Sequence, residues 1–111
     1  MPATVEHGGN KMDAGMNAAI AQVVAGFITT MDGLKLNLTA VDELHPHLSD
    51  LAASLSKIAM PADHQAKVKV LAWLQRLNSM RASEELKVEE ARQMSFELEQ
   101  AFLSFQRFLE Q

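Results

Sequence analysis

The sequence predicts an all-α fold, an antiparallel up-and-down four-helix bundle with long first and last helices. Apolar residues recur at steps of three and four residues over most of the chain, which is the period of a helix with one buried face. No segment shows the period-two alternation of a half-buried strand. Short polar or proline-containing breaks divide the pattern into four segments, and short connections favour antiparallel neighbours.

Length and composition indicate one folded domain with a single core. The chain has 111 residues, of which 48% are hydrophobic and 22% are charged. Residues 1–12 lack an apolar run, so we expect a flexible lead-in there and one four-helix-bundle domain over residues 13–111. The absence of cysteine excludes a disulfide scaffold and a thiolate metal site, and it fits the cytoplasm. No apolar run reaches the roughly 20 residues of a membrane span.

The net charge of −4 argues against bulk electrostatic binding to nucleic acid. The charge is unevenly distributed, because residues 57–81 hold five basic residues and one acidic residue while both flanking segments are acidic. This middle segment could favour an acidic partner. Solvation of the outer faces of helices is the more common role of such charges.

The first helix is predicted over residues 13–44, where apolar residues keep the helical period for about four heptads. Gly26 and Gly33 each weaken a helix by about 1 kcal/mol relative to alanine, so a bend is compatible with the pattern. The residues of its predicted buried stripe are Met16, Ile20, Val23, Phe27, Met31, Leu34, Leu38 and Val41.

Proline-containing breaks delimit a short second helix. At His45-Pro46 the residue before proline is pushed out of the α region, and proline itself suits the first turn of the next helix. Met60-Pro61 ends the segment. Its predicted buried residues are Leu48, Leu51, Leu55 and Ile58.

The third helix is predicted to follow Asp63 and to end near Met80. Asp63 is the candidate N-cap because its carboxylate can accept from backbone N–H groups two or three residues further on. Trp73 lies at the edge of the apolar face, where packing is favoured over stacking on a ligand. The predicted apolar face consists of Val70, Leu71, Leu74 and Leu77.

The fourth helix, from about Val88 to Leu109, carries apolar residues on two opposite sides. Phe96 and Leu103 are seven residues apart and share a face nearly opposite the core stripe. The predicted core stripe consists of Met94, Leu98, Ala101, Phe102 and Phe105.

The second apolar face predicts a small partner-binding patch. An exposed phenylalanine forgoes roughly 1.5–3 kcal/mol of burial, which another protein could recover by covering Phe96 and Leu103. Leu36 lies on the outer side of the first helix, and Arg92 and Glu99 supply the charged rim typical of such patches. The alternative is that the bundle is wide enough to cover Phe96 itself.

Candidates for catalytic or metal chemistry are few. His45 and His47 lie near acidic residues, but their spacing does not direct two rings at one ion as an i, i+4 pair on a helix does. The sequence contains no glycine-rich phosphate loop and no G-x-S-x-G motif. We therefore expect no enzyme, no cofactor and no metal, with a metal-dependent enzyme centred on these histidines as an alternative.

Three blocks resemble the C-terminal domain of the vacuolar protein sorting-associated protein 28 family, a subunit of ESCRT-I. They are FITTMDGLKLNLTAVDELHPHLSDL, KVLAWLQRLNSMRASEEL and RQMSFELEQAFLSFQRFL. Ser95 stands where the resemblance implies an apolar residue, and Lys87 stands where it implies an acidic one, which weakens the cap of the fourth helix. The predicted patch residues on matching motif positions are Leu36, Arg92, Phe96 and Glu99.

The resemblance implies a four-helix adaptor domain without catalytic activity, peripheral to the endosomal membrane. Its implied partners are the ubiquitin-recognising subunit of ESCRT-II and, in some settings, an ESCRT-III subunit, during sorting of ubiquitinated cargo into multivesicular endosomes. Other ESCRT-I subunits would bind through an N-terminal region that we expect to be absent from this chain. The competing hypothesis is a self-associating structural helical module with no transient partner.

Overall fold

A computed structural model describes the backbone of residues 3–110 and the side chains of residues 15–110. The described backbone contains no strand. Consecutive helices pack on each other and the first also packs on the last, which closes a ring of antiparallel neighbours. The predicted up-and-down bundle is confirmed. Its helices are α1 (Ala3–Lys35), α2 (Val41–Ser56), α3 (Gln65–Asn78) and α4 (Val88–Leu109).

The core runs along the bundle axis and receives side chains from all four helices. The ring centroid of Phe27 on α1 lies 5.3 Å from that of Phe102 and 6.3 Å from that of Phe105, both on α4. Tilted aromatic pairs at such distances add about 0.5–1.5 kcal/mol each beyond their burial. The largest fully buried side chains are Phe27, Phe105, Leu44, Leu48, Leu51, Leu55, Leu77, Met94 and Leu98.

The first helix ends at Lys35 in a Schellman motif. The backbone N–H of Leu38 donates to the carbonyl of Gly33 at 2.8 Å, and the N–H of Asn37 donates to that of Leu34 at 3.1 Å. Asn37 has a φ of 67°, the left-handed conformation that this motif requires and that asparagine tolerates better than most residues. These two bonds satisfy carbonyls that the helix end would otherwise leave unpaired.

The prediction of one helix over residues 13–44 is therefore wrong at its C-terminal end. Leu38 packs against the core from the turn, and Val41 is buried at the start of α2. Both residues continue the apolar period although the backbone turns between them. At the other end α1 begins at Ala3. The division of the chain at residue 12 into a lead-in and a domain stays a prediction.

The second helix begins at Val41, so His45-Pro46 is not its boundary as predicted. Pro46 lies inside α2, where it cannot donate to the carbonyl of Asp42. Asp42 and Pro46 are both exposed, so water can hydrogen-bond to that carbonyl in place of the missing N–H. The proline is tolerated because the carbonyl that it leaves unpaired belongs to the exposed first turn.

Two loops pair at one end of the bundle. The segments before α2 and before α4, residues 39–41 and 84–86, form one antiparallel bridge that we call the loop clasp. The N–H of Val41 donates to the carbonyl of Glu84 at 3.0 Å. The N–H of Leu86 donates to the carbonyl of Thr39 at 2.9 Å. The clasp fixes the start of α2 and joins the α1–α2 turn to the α3–α4 connection.

The N-cap of α3 is His64, which corrects the prediction of Asp63. The backbone of His64 is extended, and its Nδ1 accepts a hydrogen bond from the N–H of Ala66 at 3.1 Å. Such a bond satisfies one of the free donors in the first turn of a helix. The predicted start of the helix is therefore displaced by one residue, and its end at Asn78 lies close to the predicted Met80.

The buried face of α3 is narrower than predicted. Val70 and Leu77 are fully buried and Leu74 is half-buried, but Leu71 is 46% exposed. Successive residues of a helix differ by about 100° in direction, so Val70 and Leu71 cannot both face the axis. The prediction that Leu71 belongs to the core is wrong.

Candidate partner-binding surface

The outer side of α4 carries an apolar ridge that faces away from the core. Phe96 is 58% exposed and Leu103 is 46% exposed, whereas Met94 and Leu98 on the opposite side of the same helix are fully buried. No neighbouring helix covers the ring of Phe96, so the alternative of a bundle wide enough to bury it is wrong. The role of the ridge in binding a partner stays a prediction.

Leu36 is 81% exposed, more than any other large apolar residue among the described side chains. It directly follows the last residue of α1, where the Schellman motif turns the backbone away from the helix axis. The α1–α2 turn therefore holds this side chain in water. The sequence pattern predicted its outward direction but assigned it to the middle of a longer helix.

The packing of α1 on α4 places Leu36 and Phe96 at a similar height along the bundle. The two helices are antiparallel, and Phe27 contacts Phe102 and Phe105. From Phe27 to Leu36 the chain advances roughly 13 Å along the bundle. From Phe102 and Phe105 to Phe96 the distance along α4 is roughly 9–13 Å in the same direction. The two exposed apolar side chains therefore lie on neighbouring elements close to one level.

Ile28 on α1 is 45% exposed, although it was not among the predicted patch residues. It follows Phe27 and so lies level with the region of α4 that contains Leu103. Gly26 points toward α2, since a Cβ there would lie 3.2 Å from Leu51, and Ile28 points about 200° further round the helix, away from α2. Its offset from the core stripe in the helical pattern was the signal that could have identified it.

Charged residues border these apolar side chains. Arg92 and Glu99 are exposed on α4, and neither belongs to an ion pair among the described side chains. Both are therefore available to groups on another molecule. We call the combined surface the α1/α4 outer face, which consists of Ile28, Leu36, Arg92, Phe96, Glu99 and Leu103.

Comparison with known proteins identifies the family. The family model described as VPS28 protein matches residues 1–109. The chain belongs to the VPS28 family. The resemblance seen in the sequence is therefore confirmed, and it extends to more of the chain than the three blocks.

Curated members of the VPS28 family are similar over nearly the whole chain. The vacuolar protein sorting-associated protein 28 homolog 1 of Arabidopsis thaliana is 46% identical over 108 residues, which cover 95% of this chain and 52% of that protein. The Saccharomyces cerevisiae protein is 34% identical over 125 residues, covering 99% and 51% respectively. The chain thus spans about half the length of the curated relatives it matches.

Solved structures identify which part of VPS28 the fold corresponds to. The X-ray structure of the yeast ESCRT-I Vps28 C-terminus matches with a TM-score of 0.75 and 34% identity, covering 82% of this chain and 91% of that one. A crystal structure of the C-terminal domain of Vps28 matches equally well and is covered to 96%. The fold is therefore that of the VPS28 C-terminal domain.

His45, named with His47 in the alternative of a metal-dependent enzyme, contacts a neighbouring helix. His45 lies on α2, and its Nε2 lies 2.6 Å from Oδ1 of Asn78, so it links α2 to α3. Among the residues with described side chains, no three His, Cys, Asp or Glu residues come together as metal ligands would. VPS28 proteins are named for vacuolar protein sorting, and the chain is not an enzyme.

Trp73 joins α3 to α4 beside the core. Its Nε1 donates to Oε1 of Glu97 at 2.9 Å, and its ring is half-buried. The pKa of Glu97 is lowered, first by a hydrogen bond from Gln93 and then by that from Trp73 and the charge of Lys69, although burial acts in the opposite direction. The tryptophan therefore packs between helices, as favoured from its position in the sequence.

Within the part of the chain that the structure describes, every helix is too short or too polar to cross a membrane.

Proposed function

We propose that the chain is the adaptor domain of ESCRT-I that recruits ESCRT-II, through its ubiquitin-recognising subunit, in sorting ubiquitinated cargo into multivesicular endosomes. In some settings it also recruits an ESCRT-III subunit. The VPS28 family match and the ESCRT-I assignment of the similar yeast structure support this role. The domain acts in the cytoplasm at the endosomal surface, and other ESCRT-I subunits bind outside the region that this chain spans.

The observation that carries the proposal is the 58% exposure of Phe96 on a helix whose opposite face is fully buried. A well-ordered helix holds this ring in water at a cost that a docked partner would recover. Aromatic and aliphatic anchors inside a charged rim are typical of protein-binding surfaces. Phe96, Leu103 and Leu36 serve as the anchors, and Arg92 and Glu99 serve as the rim.

The α1/α4 outer face suits a transient complex. A patch built from a few exposed side chains on two helices corresponds to an interface below about 1,200 Å² in total, which is the range of weak and transient encounters. Docking needs no rearrangement of the core, because the anchors already point outward. The rim charges would then mainly set orientation and the rate of association.

Replacing Phe96 with aspartate tests the proposal. We expect Phe96→Asp to weaken binding of purified ESCRT-II by about thirtyfold or more, the loss typical of an interface residue worth at least 2 kcal/mol. Titration calorimetry measures the affinity, and circular dichroism with thermal melting measures folding. Val68→Asp is the matched control, since Val68 is 48% exposed on α3, outside the α1/α4 outer face.

Equal binding by both variants would exclude Phe96 from the interface. A melting temperature lowered by Phe96→Asp alone would show instead that the residue contributes to the core. Sedimentation at micromolar concentration addresses the competing hypothesis of a self-associating structural module. A stable dimer that Phe96→Asp converts to a monomer would assign the outer face to a second copy of the chain.

A further inference from the structure

A cationic groove lies between α3 and α4, next to the ridge that carries Phe96. Its volume is about 310 Å³. It is polar except for Leu103, whose side chain forms one wall and also belongs to the α1/α4 outer face. The lining residues are Gln65, Lys69, Gln100, Leu103, Ser104 and Arg107.

Among the described side chains, no carboxylate pairs with either of the two cations of the groove. Neither Lys69 nor Arg107 lies within 4.0 Å of an acidic oxygen among the described side chains. The charge of Lys69 helps to lower the pKa of Glu97. That carboxylate already accepts hydrogen bonds from Trp73 and Gln93. The positive charge of the groove is therefore open to a group from outside the chain.

Asp63 and Glu110, two acidic residues near this end of the bundle, form no ion pair with Arg107. Asp63 lines an adjoining groove together with the arginine. The contrast with α3 is informative, because Arg76 on that helix does pair with Glu90, at 2.7 Å. Arginine pairs with a carboxylate elsewhere in this molecule, whereas in the groove it does not.

The groove continues the outer face without interruption. Leu103 and Arg107 are four residues apart and Phe96 precedes Leu103 by seven, so the three side chains follow one side of α4. A molecule that covers Phe96 and Leu103 therefore reaches the mouth of the groove within one further helical turn, roughly 5 Å. Apolar anchors and unpaired cations are thus presented to the same partner.

We propose that the partner bound on the α1/α4 outer face inserts an acidic side chain into this groove, between Lys69 and Arg107. This inference rests on the proposed function and adds the chemistry of the partner: an apolar contact flanked by an aspartate or glutamate. The charge distribution of the sequence agrees with it, since the segment that contains Lys69 is the basic one of the chain. Charge complementarity of this kind fixes register and speeds association.

Charge reversal in the groove tests the inference. We expect Lys69→Glu and Arg107→Glu each to weaken binding of purified ESCRT-II about tenfold and to reduce the dependence of affinity on salt concentration, because the attraction is replaced by repulsion. Lys67→Glu is the matched control. It changes the net charge equally on the same helix, but Lys67 lies outside the groove, in a cleft with residues of α2. Thermal melting of all three variants verifies that the bundle is folded.

A second arm identifies the acidic residue. Single Asp or Glu residues of the ESCRT-II subunit are replaced by lysine, and each variant is titrated against Lys69→Glu. We expect one partner variant to improve binding to Lys69→Glu at least fivefold more than it improves binding to the unmodified chain. A difference of this kind is the coupling of a direct charge pair. If no reversal restores binding, the groove does not hold an acidic side chain of the partner.

The outcomes separate the inference from the proposed function. If Phe96→Asp abolishes binding while Lys69→Glu and Arg107→Glu bind as the unmodified chain does, the inference is wrong and the adaptor role stands. If ESCRT-II does not bind the unmodified chain, both fail. If it binds Phe96→Asp equally well, the α1/α4 outer face is not the docking surface and the inference fails with it. Vesicles containing about one third phosphatidylserine are a further probe. Loss of vesicle binding with unchanged ESCRT-II binding would assign the groove to lipid and overturn the proposal.

Discussion

Phe96 and Phe105 are the same residue type on the same helix, yet the first is 58% exposed and the second is fully buried. They are nine residues apart, which places them on opposite sides of α4. The exposure of Phe96 was predictable because direction around a helix depends only on local sequence position. Ile28 was harder to predict, because its exposure depends on how far the side chains of a neighbouring helix reach.

Lys87 at the N-cap of α4 is a second residue whose effect is local. It makes no side-chain cap hydrogen bond, which agrees with the weak cap expected from the sequence. Glu90 occupies the third helical position and the backbone N–H of Lys87 helps to lower its pKa, so the acidic half of a capping box is already in place.

Replacing Lys87 with serine should complete this capping box. We expect Lys87→Ser to stabilise the domain by about 1 kcal/mol, because the hydroxyl can accept from a free N–H in the first turn. Urea unfolding followed by circular dichroism measures the change. Lys87→Gln is the control, since it removes the charge but does not introduce a residue favoured at N-caps. An equal gain in stability in that variant would attribute the effect to the loss of charge.

At the scale of helices and turns, the boundary between α1 and α2 shows where sequence reasoning failed. Leu38 and Val41 continue the apolar period because the turn returns them to the core, so the pattern alone could not reveal the break. The stop signal was Asn37, a weaker marker of a Schellman motif than glycine. α4 was predicted well because its period, its length and its flanking polar segments all agree.

Substitution of Asn37 tests how much the turn depends on its left-handed backbone. We expect Asn37→Ala to destabilise the domain by about 1 kcal/mol, because a Cβ without a compensating polar group is disfavoured at this φ. Urea unfolding measures the loss. Asn37→Gly should be nearly neutral or slightly stabilising, and a loss of the same size in both variants would mean that the asparagine side chain, and not the backbone conformation, holds the turn.

In the bundle as a whole, two acidic residues of α4 accept hydrogen bonds from side chains of α3. The pKa of Glu90 is lowered, first by the hydrogen bond from Arg76 and also by its charge, and the pKa of Glu97 is lowered by the hydrogen bonds from Gln93 and Trp73. The sequence could not predict these contacts, because they depend on which faces of α3 and α4 meet.

These lowered pKa values predict that stability decreases in acid. Near the ordinary carboxyl pKa of 4.5 the unfolded chain binds more protons than the folded one, so the stabilisation is complete above that pH and is lost as the pH falls through the lower folded-state pKa. Urea unfolding measures the free energy of unfolding at pH 7 and at about pH 3.5. Between these pH values it should decrease less in the double variant Glu90→Gln, Glu97→Gln than in the unmodified chain. Identical decreases would place the acid sensitivity elsewhere.

The two helical hairpins, α1 with α2 and α3 with α4, are joined in different ways at their two ends. At one end the chain itself connects α2 to α3, and at the other end the hydrogen bonds of the loop clasp and the contact of His45 with Asn78 connect the hairpins. The hairpins are therefore held together at that end by non-covalent contacts alone. Leu36 lies on one hairpin and Phe96 on the other, both toward that end, so a ligand spanning them would add a further link between the hairpins where no chain connection exists.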